Sequence, residues 1–404
     1  MAPPAFPHRI LVAGGGPVGL TTALALARAG ISTTLVTPRA NSAQPGRTVA
    51  LLGPSMTLLR RLGVAARLTP SPILGIRLID DTGGLLRAPE VTFRPSDIGQ
   101  TCFGHNVANT ELEAALRSSL AGHRDNLDWI DGASVTCLDI TPTHVAATLS
   151  GTRTVQASAV IACDGRASLC RQAADIGVET HAYAQAAVTA TFAHIRPHDG
   201  ISTEFHRAAG PCTTVPLPGH TSSLVWVEHP ARAQELAAMN DTDFAATLEQ
   251  SLQGLLGTIS AVSPRGHFPL TWLKALTPAC RRVFLAGESA HVIPPIGAQG
   301  LNLGLRDAAT LVDVLAEAIA TGADPGSEPV LDAYRRARSF DIATRMTAVD
   351  ALNRSLLSNT LPVHLARGLG LHAVRALAPL RRRIIQAGMV PPGTLPRLMQ
   401  PDAA

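Results

Sequence analysis

The sequence predicts an α/β protein: a Rossmann-like layer assembled from early, middle and late segments, with an inserted β-rich domain and a C-terminal helical tail. Three observations lead there. Strand, glycine turn, helix and second strand follow one another between Arg9 and Thr37. Two further apolar runs, Gln156 to Cys163 and Arg282 to Ala286, each end in a turn containing glycine and an acid. The stretches between them are short extended pieces divided by Pro and Gly, which read as antiparallel strands.

The first element is Ile10-Leu11-Val12-Ala13, an apolar run suited to a buried parallel strand. Leu20 to Arg28 repeats at helical spacing, Gly30 stops it, and Ile31 to Val36 is the next strand. From Pro70 to Gly99 the chain turns extended, for example Gly75 to Asp80 before an Asp-Thr-Gly-Gly turn, and Asn109 to Leu120 returns to helix. After Gly177, strands are expected at Val188 to Ile195, Ser202 to His206, Cys212 to Pro216 and Ser222 to Glu228. Helices follow over Asp241 to Leu256 and Leu301 to Thr321. Beyond Asp350 the chain reads as amphipathic helix, with Arg354, Arg367, Arg375 and Arg381-Arg382-Arg383 among Leu, Val, Ile and Ala. That tail suits either a docked helix pair or a face for a membrane surface or partner.

Composition narrows the classes. The 404 residues are 46% apolar and 16% charged, a globular balance. The 34 Lys+Arg nearly match 30 Asp+Glu, and a net charge of +4 gives no field that calls for nucleic acid. The six cysteines form no CxxC pair or dense framework, so they are expected to be reduced, and no metal site is expected. The N-terminal apolar run is too short for a secretory signal, and nothing approaches the ~18 apolar residues of a spanning helix. A cytoplasmic protein is the expectation.

Three motifs carry chemistry. Gly14-Gly15-Gly16-Pro17-Val18-Gly19 satisfies GxGxxG through Gly14, Gly16 and Gly19, between strand and helix. Such a turn lets the backbone approach a pyrophosphate at a helix N-terminus, where free N–H groups and the dipole favour negative charge. The second strand then ends Leu35-Val36-Thr37-Pro38-Arg39, without the acid that usually holds an adenosine ribose. Thr37 could bond a ribose hydroxyl more weakly. Arg39 or Arg47 could face phosphate, or lie solvated in a loop.

The second motif is Cys163-Asp164-Gly165-Arg166 at a strand end. The third and most specific runs from Gly287 and Glu288 through Pro294-Pro295 to Gly297-Ala298-Gln299-Gly300-Leu301-Asn302, then Leu303 to Asp307. An acid follows a strand there, a rigid turn comes next, and Gly297 and Gly300 open a helix beginning near Leu301. Its N-terminus suits negative charge developing on a bound ring system, while Glu288 suits a polyol chain. His291 reads as a packed histidine or a general base. His206 and Arg207 could serve a substrate hydroxyl or be exposed sheet residues.

Taken together, these motifs resemble those of the class A flavoprotein monooxygenases, the para-hydroxybenzoate hydroxylase family, over residues 8 to 345. The Leu-Asn-Leu-Gly-Leu-Arg-Asp run after Gly-Ala-Gln-Gly, with Glu204-Phe205-His206, Gly210-Pro211 and Pro216-Leu217-Pro218, is similar to the UbiH/UbiF group of ubiquinone-biosynthesis hydroxylases. The resemblance implies FAD as cofactor, NAD(P)H or another donor as reductant, and O₂ added at the flavin C4a to give a hydroperoxide that hydroxylates an electron-rich ring. It implies an FAD-binding domain in segments 1–69, 101–177 and 268–345, a substrate domain in 70–100 and 178–267, and a helical region over 346–404. It places Gly14, Gly16 and Gly19 at the pyrophosphate with Asp164 and Gly165, Arg47 at the adenylate or phosphate side, and Gly287 and Glu288 at the ribityl chain. Pro295, Gly297 and Gly300 fall beside the flavin, with backbone N–H groups of Leu301 and Asn302 at its N1–C2=O edge.

A polyprenylated phenol is the expected substrate, with association at the inner face of a bacterial membrane or in a quinone-biosynthesis complex. Two departures stand out: Thr37 replaces an acid, and Glu288 replaces the family's Asp. Rival readings are a flavin-dependent reductase, a hydroxylase of another small aromatic, and an assembly protein without turnover. A halogenase is disfavoured because Trp226-Val227-Glu228-His229-Pro230 lacks a second Trp.

Overall fold

The four-residue apolar run Ile10–Ala13 is buried along its whole length at the centre of a six-stranded sheet. A computed structural model describes residues 9–39, 46–82, 89–123, 125–357, 361–389 and 393–401. Ile10–Ala13 pairs in parallel with Thr33–Thr37 on one side and Ala159–Ala162 on the other. Leu127–Asp131 extends the first side, Val283–Leu285 the second, and antiparallel Ala279–Cys280 forms that edge. The three motifs follow the C-terminal ends of neighbouring strands Ile10–Ala13, Ala159–Ala162 and Val283–Leu285, the usual location of ligands in open parallel sheets.

Glycine makes the convergence of these ends sterically possible. Gly14 has φ +125°, and a Cβ there would lie 2.1 Å from the Cys163 carbonyl oxygen. The helix Pro17–Arg28 begins just beyond, with Pro at its first position and Gly16 as N-cap. It packs against the late helix Gln299–Ala320, where a Cβ at Gly304 would meet Val18 Cγ2 at 2.7 Å and Gly287 Cα at 3.1 Å. Residues distant in sequence therefore touch through hydrogen-only positions.

The expected run Gln156 to Cys163 divides in two. Thr154–Ala157 alternates exposed and buried residues and joins a small antiparallel sheet with Val135–Ile140 and Val145–Leu149. Ala159–Ala162 is buried throughout and joins the parallel sheet. Between them, Ser158 donates its N–H to the Arg9 carbonyl, so the chain changes layers at that residue.

A second, mostly antiparallel sheet of nine strands forms one wall of the main cavity. It includes Gly266–Ala275, Val178–His194, Thr221–Glu228, Gly210–Leu217, Ile201–Arg207, Gly75–Asp80 and Val91–Phe93. Its outer face packs on helices Pro230–Ala238 and Asp241–Ser251 through Phe205, Trp226, Phe244 and Leu248. The expected single helix over Asp241 to Leu256 ends at Ser251, and a turn containing Gln253 and Gly254, both at positive φ, follows it.

The tail helix starts earlier than expected, at Glu328, and runs to Leu357. Leu361–Ala376 and Ala378–Met389 follow. Val374 and Ile385 pack on Ile73, Phe93 and Phe103, while Arg381 Nε donates to Asp97 Oδ2 at 3.1 Å. These helices are therefore docked against the sheet domain. The side chain of Arg367 lies outside the described residues.

Candidate active site

A cavity of about 660 Å³ runs from the glycine turns to the inner face of the nine-stranded sheet, within the range of roughly 300–1,000 Å³ usual for ligand pockets. Of the expected site residues, Gly14, Gly16, Gly19, Arg47, Asp164, Gly165, Gly287, Glu288, Pro295, Gly297, Gly300 and Leu301 line it. The three motifs lie far apart in sequence, and strand order brings them together as expected: all three leave the same edge of one sheet.

The local geometry suits a dinucleotide. Gly16, Gly165 and Gly300 line the cavity; a Cβ on Gly16 or Gly165 would meet no neighbouring heavy atom within 4 Å, and one on Gly300 would meet Ile293 Cγ1 at 3.9 Å. At these positions a methyl group would occupy space a bound molecule needs. Helices Pro17–Arg28 and Gln299–Ala320 both begin at the cavity, which brings unpaired N–H groups and positive dipole ends to an anionic or electron-rich ligand. Arg47 lies over the Phe268 ring at 5.2 Å on the same wall. The residues present thus fit a phosphate-bearing cofactor.

Asp164 and Glu288 are held by partners. Asp164 accepts from the Ser168 hydroxyl at 2.5 Å and the Cys170 N–H at 3.1 Å, which fixes the turn after the second motif. Glu288 makes a two-point pair with Arg166, at 3.0 and 3.3 Å, which joins the second motif to the third. Arg166 lines the cavity too and was missed, because an arginine after Asp-Gly has no distinctive spacing.

Two expected residues lie elsewhere. Thr37 is fully buried and outside the cavity lining. Its hydroxyl donates to Asp131 Oδ1 at 2.5 Å and accepts from Trp129 Nε1 at 3.0 Å. Asp131 ends the adjacent strand, directly in register with Thr37, so a carboxylate stands one hydrogen bond from the position where the motif lacks one. The Thr37 hydroxyl, then burial acting in opposition, then Arg117 leave the Asp131 carboxyl below its ordinary value. Asn302 is also fully buried. Its side-chain oxygen accepts from Leu52 N and the Ser55 hydroxyl, and its amide donates to the Ala50 and Ala298 carbonyls.

The helix begins at Gln299, two residues before the expected start, and this reassigns its free N–H groups. With Ala298 as N-cap, Gln299, Gly300 and Leu301 occupy the first turn. Asn302 follows them, where the backbone N–H enters the helical ladder. Its contribution is to tie the Ala50 to Ser55 segment to the helix.

His291 is buried, and its Nε2 lies 2.7 Å from Asp307 Oδ2. Asp307 also accepts from Gly287 N and Arg338 Nε. Burial alone would raise this carboxyl, but His291 and Arg338 outweigh it and hold the value down. The packed reading of His291 fits this contact set. Arg207 faces away from the cavity, where it pairs with Asp81 at 2.9 Å and lies over Phe205 and Trp226.

Glu113 and Asn109, on the helix Asn109–Leu120, also line the cavity. Burial raises the Glu113 carboxyl despite Arg117 and Arg47. An ordinary amphipathic helix carried no sequence sign that this end would face a ligand.

Comparison with known proteins agrees with this geometry. The family described as FAD binding domain matches residues 8–349. The chain is 36% identical to the ubiquinone hydroxylase UbiL of Rhodospirillum rubrum, over 97% of this chain and 92% of that protein. It is 31% identical to the 3-demethoxyubiquinol 3-hydroxylase of Escherichia coli, over 94% and 98%. Among solved structures, p-nitrophenol 4-monooxygenase PnpA from Pseudomonas putida superposes with a TM-score of 0.78 at 20% identity, covering 96% of this chain and 99% of that one, a likeness of fold. With its glycine turns gathered on one sheet edge and a match across most of its length, the chain belongs to the FAD binding domain family.

Proposed function

We propose that the chain is an FAD-dependent monooxygenase that hydroxylates a polyprenylated phenolic intermediate of ubiquinone biosynthesis. The observation that carries this reading is the continuity of one cavity from the glycine turns to an apolar wall that includes Ile73, Phe103, Val215, Leu270 and Met389. A cofactor and an apolar ring can be held in one enclosure. The relatives named as ubiquinone hydroxylases supply the substrate class.

Within this reading the parallel layer is the FAD-binding unit and the nine-stranded sheet the substrate unit. Gly14, Gly16 and Gly19 give the pyrophosphate close backbone approach, with Asp164 and Gly165 beside it and Arg47 on the adenylate side. Gly287 and Glu288 hold the ribityl chain. Pro295, Gly297, Gly300 and Leu301 shape the flavin face, and the first-turn N–H groups stabilise negative charge at its pyrimidine edge. Bound FAD, reduced by NAD(P)H or another donor, supplies the activation of O₂. The chain's task is to orient the phenol and keep water out.

Membrane-surface association belongs to the same proposal. Among the described residues no helix is long and apolar enough to cross a membrane. Leu369 and Ile384 are exposed on the C-terminal helices and Leu377 at the joint between them, as are Arg375, Arg382 and Arg383 on the helices. Apolar and basic residues together suit the surface of an anionic bilayer, where a lipophilic substrate resides.

The test is titration of purified protein with FAD, followed by an assay for O₂-dependent hydroxylation of a short-chain prenylphenol. Saturable binding with ring hydroxylation supports the proposal. Absence of flavin binding would turn the reading to an assembly role without turnover.

A further inference from the structure

Glu204 places a carboxylate on the substrate-facing wall of the cavity. Its strand, Ile201–Arg207, alternates: Phe205 enters the core behind the sheet, while Ser202 and Glu204 line the cavity. The register puts Glu204 opposite Thr213, and Thr213 opposite Val225, and both of these line the cavity as well. Along these strands Glu204 is the ionisable residue among the lining side chains. Its side chain is 13% exposed, and its hydrogen bond is to His206 Nε2 at 2.6 Å, itself 7% exposed. A carboxylate so enclosed is costly to desolvate, and packing alone does not call for one.

We propose that Glu204 is the proton acceptor for the ring hydroxyl of the phenolic substrate, with His206 as the positioning residue that fixes its carboxylate. This rests on the function proposed above. The phenol O–H bond breaks with its electron pair left on oxygen, and a new O–H bond forms on Glu204. The developing phenolate makes the ring a stronger nucleophile toward activated oxygen. Glu204 returns the proton when the product hydroxyl re-forms, so the step consumes nothing beyond the O₂ and reductant of the hydroxylation. An unperturbed phenol loses its proton near pH ~10, so at neutral pH a positioned base has a barrier to lower.

The experiment compares wild type, Glu204→Gln and His206→Asn, all FAD-loaded full-length chains, on a short-chain prenylphenol and on a ring-fluorinated analogue that is already ionised at the assay pH. For Glu204→Gln the expected result is a loss in kcat of about 10²-fold or more on the first substrate. The loss should shrink to within about tenfold on the ionised analogue, where no proton remains to be removed. FAD affinity should stay unchanged in the same protein. For His206→Asn the same pattern is expected with a smaller loss. Wild-type kcat in Glu204→Gln, or an equal loss on both substrates, would overturn the proposal. Should Glu204→Gln not fold, Glu204→Asp carries the test, with a loss expected on the neutral phenol alone and an equal loss on both overturning it. If wild type hydroxylates neither phenol, the substrate reading itself falls, and this inference with it; that outcome is distinct from a loss confined to the variants.

Discussion

Asp307 is fully enclosed, and its contacts with His291, Arg338 and the Gly287 N–H explain how it carries charge there. Removing one charge from such a set leaves the others buried without compensation, which costs about 3–5 kcal/mol. Asp307→Asn should therefore lower stability by that order, measured by urea denaturation at neutral pH. The pH dependence follows from the direction of the shift. Because the folded carboxyl is held below its ordinary 3.8, its contribution is complete above that value and is lost as pH falls through the depressed one. The wild type should show this acid loss and the variant should not.

Asp131 supports a different residue-scale prediction, about cofactor affinity. If its carboxylate serves the adenosine ribose in place of the acid absent at Thr37, Asp131→Asn should raise the FAD Kd about tenfold, since a hydrogen bond to a charged group contributes about 1.5–3 kcal/mol. Flavin fluorescence titration reads this directly, and an unchanged Kd refutes the assignment. The missing acid was legible in the sequence. Its neighbour was not, because register between Thr37 and Asp131 exists only after the sheet has formed.

At the scale of elements, the helix Gln299–Ala320 separates two kinds of information. Its glycine-rich opening and apolar periodicity were readable from the chain, but its first residue was not. Ala298 adopts a left-handed φ of +54°, so the helix starts beside a backbone turn that residue preference alone would not place there. Gly304 gives the opposing test of local preference. Inside a helix, Ala is favoured over Gly by about 1 kcal/mol, yet here an added methyl would press on Val18 and the Gly287 backbone. Gly304→Ala should lower the melting temperature and weaken FAD binding, because it drives the first motif from the third. A stabilised protein with intact FAD affinity would mean that the close approach is unimportant. The division at Ser158 follows the same logic: alternating and continuous burial distinguish Thr154–Ala157 from Ala159–Ala162 only once each has a sheet to face.

For the molecule as a whole, the C-terminal helices connect stability, cavity and surface. Arg345 donates to the Ala387 and Gly388 carbonyls, Gln299 to the Gly388 carbonyl, and Met389 lines the cavity. Deleting the chain beyond Asp350 would remove these contacts and expose the apolar cluster around Phe93 and Phe103. Membrane binding is better tested on the exposed side alone. Arg375, Arg382 and Arg383 are exposed, whereas Arg381 is committed to Asp97. Reversing the three exposed charges to Glu should leave the fold and FAD affinity unchanged but reduce co-sedimentation with anionic vesicles, since each basic residue near such a surface contributes ~1 kcal/mol. Wild-type binding should itself weaken as salt is raised, because the attraction is screened beyond a Debye length of about 8–10 Å. Turnover of a short-chain phenol in solution should survive the charge reversal, while turnover of a long-chain phenol presented in vesicles should fall. Equal vesicle binding by the two proteins would locate any membrane attachment outside these arginines and leave the tail as a cavity wall.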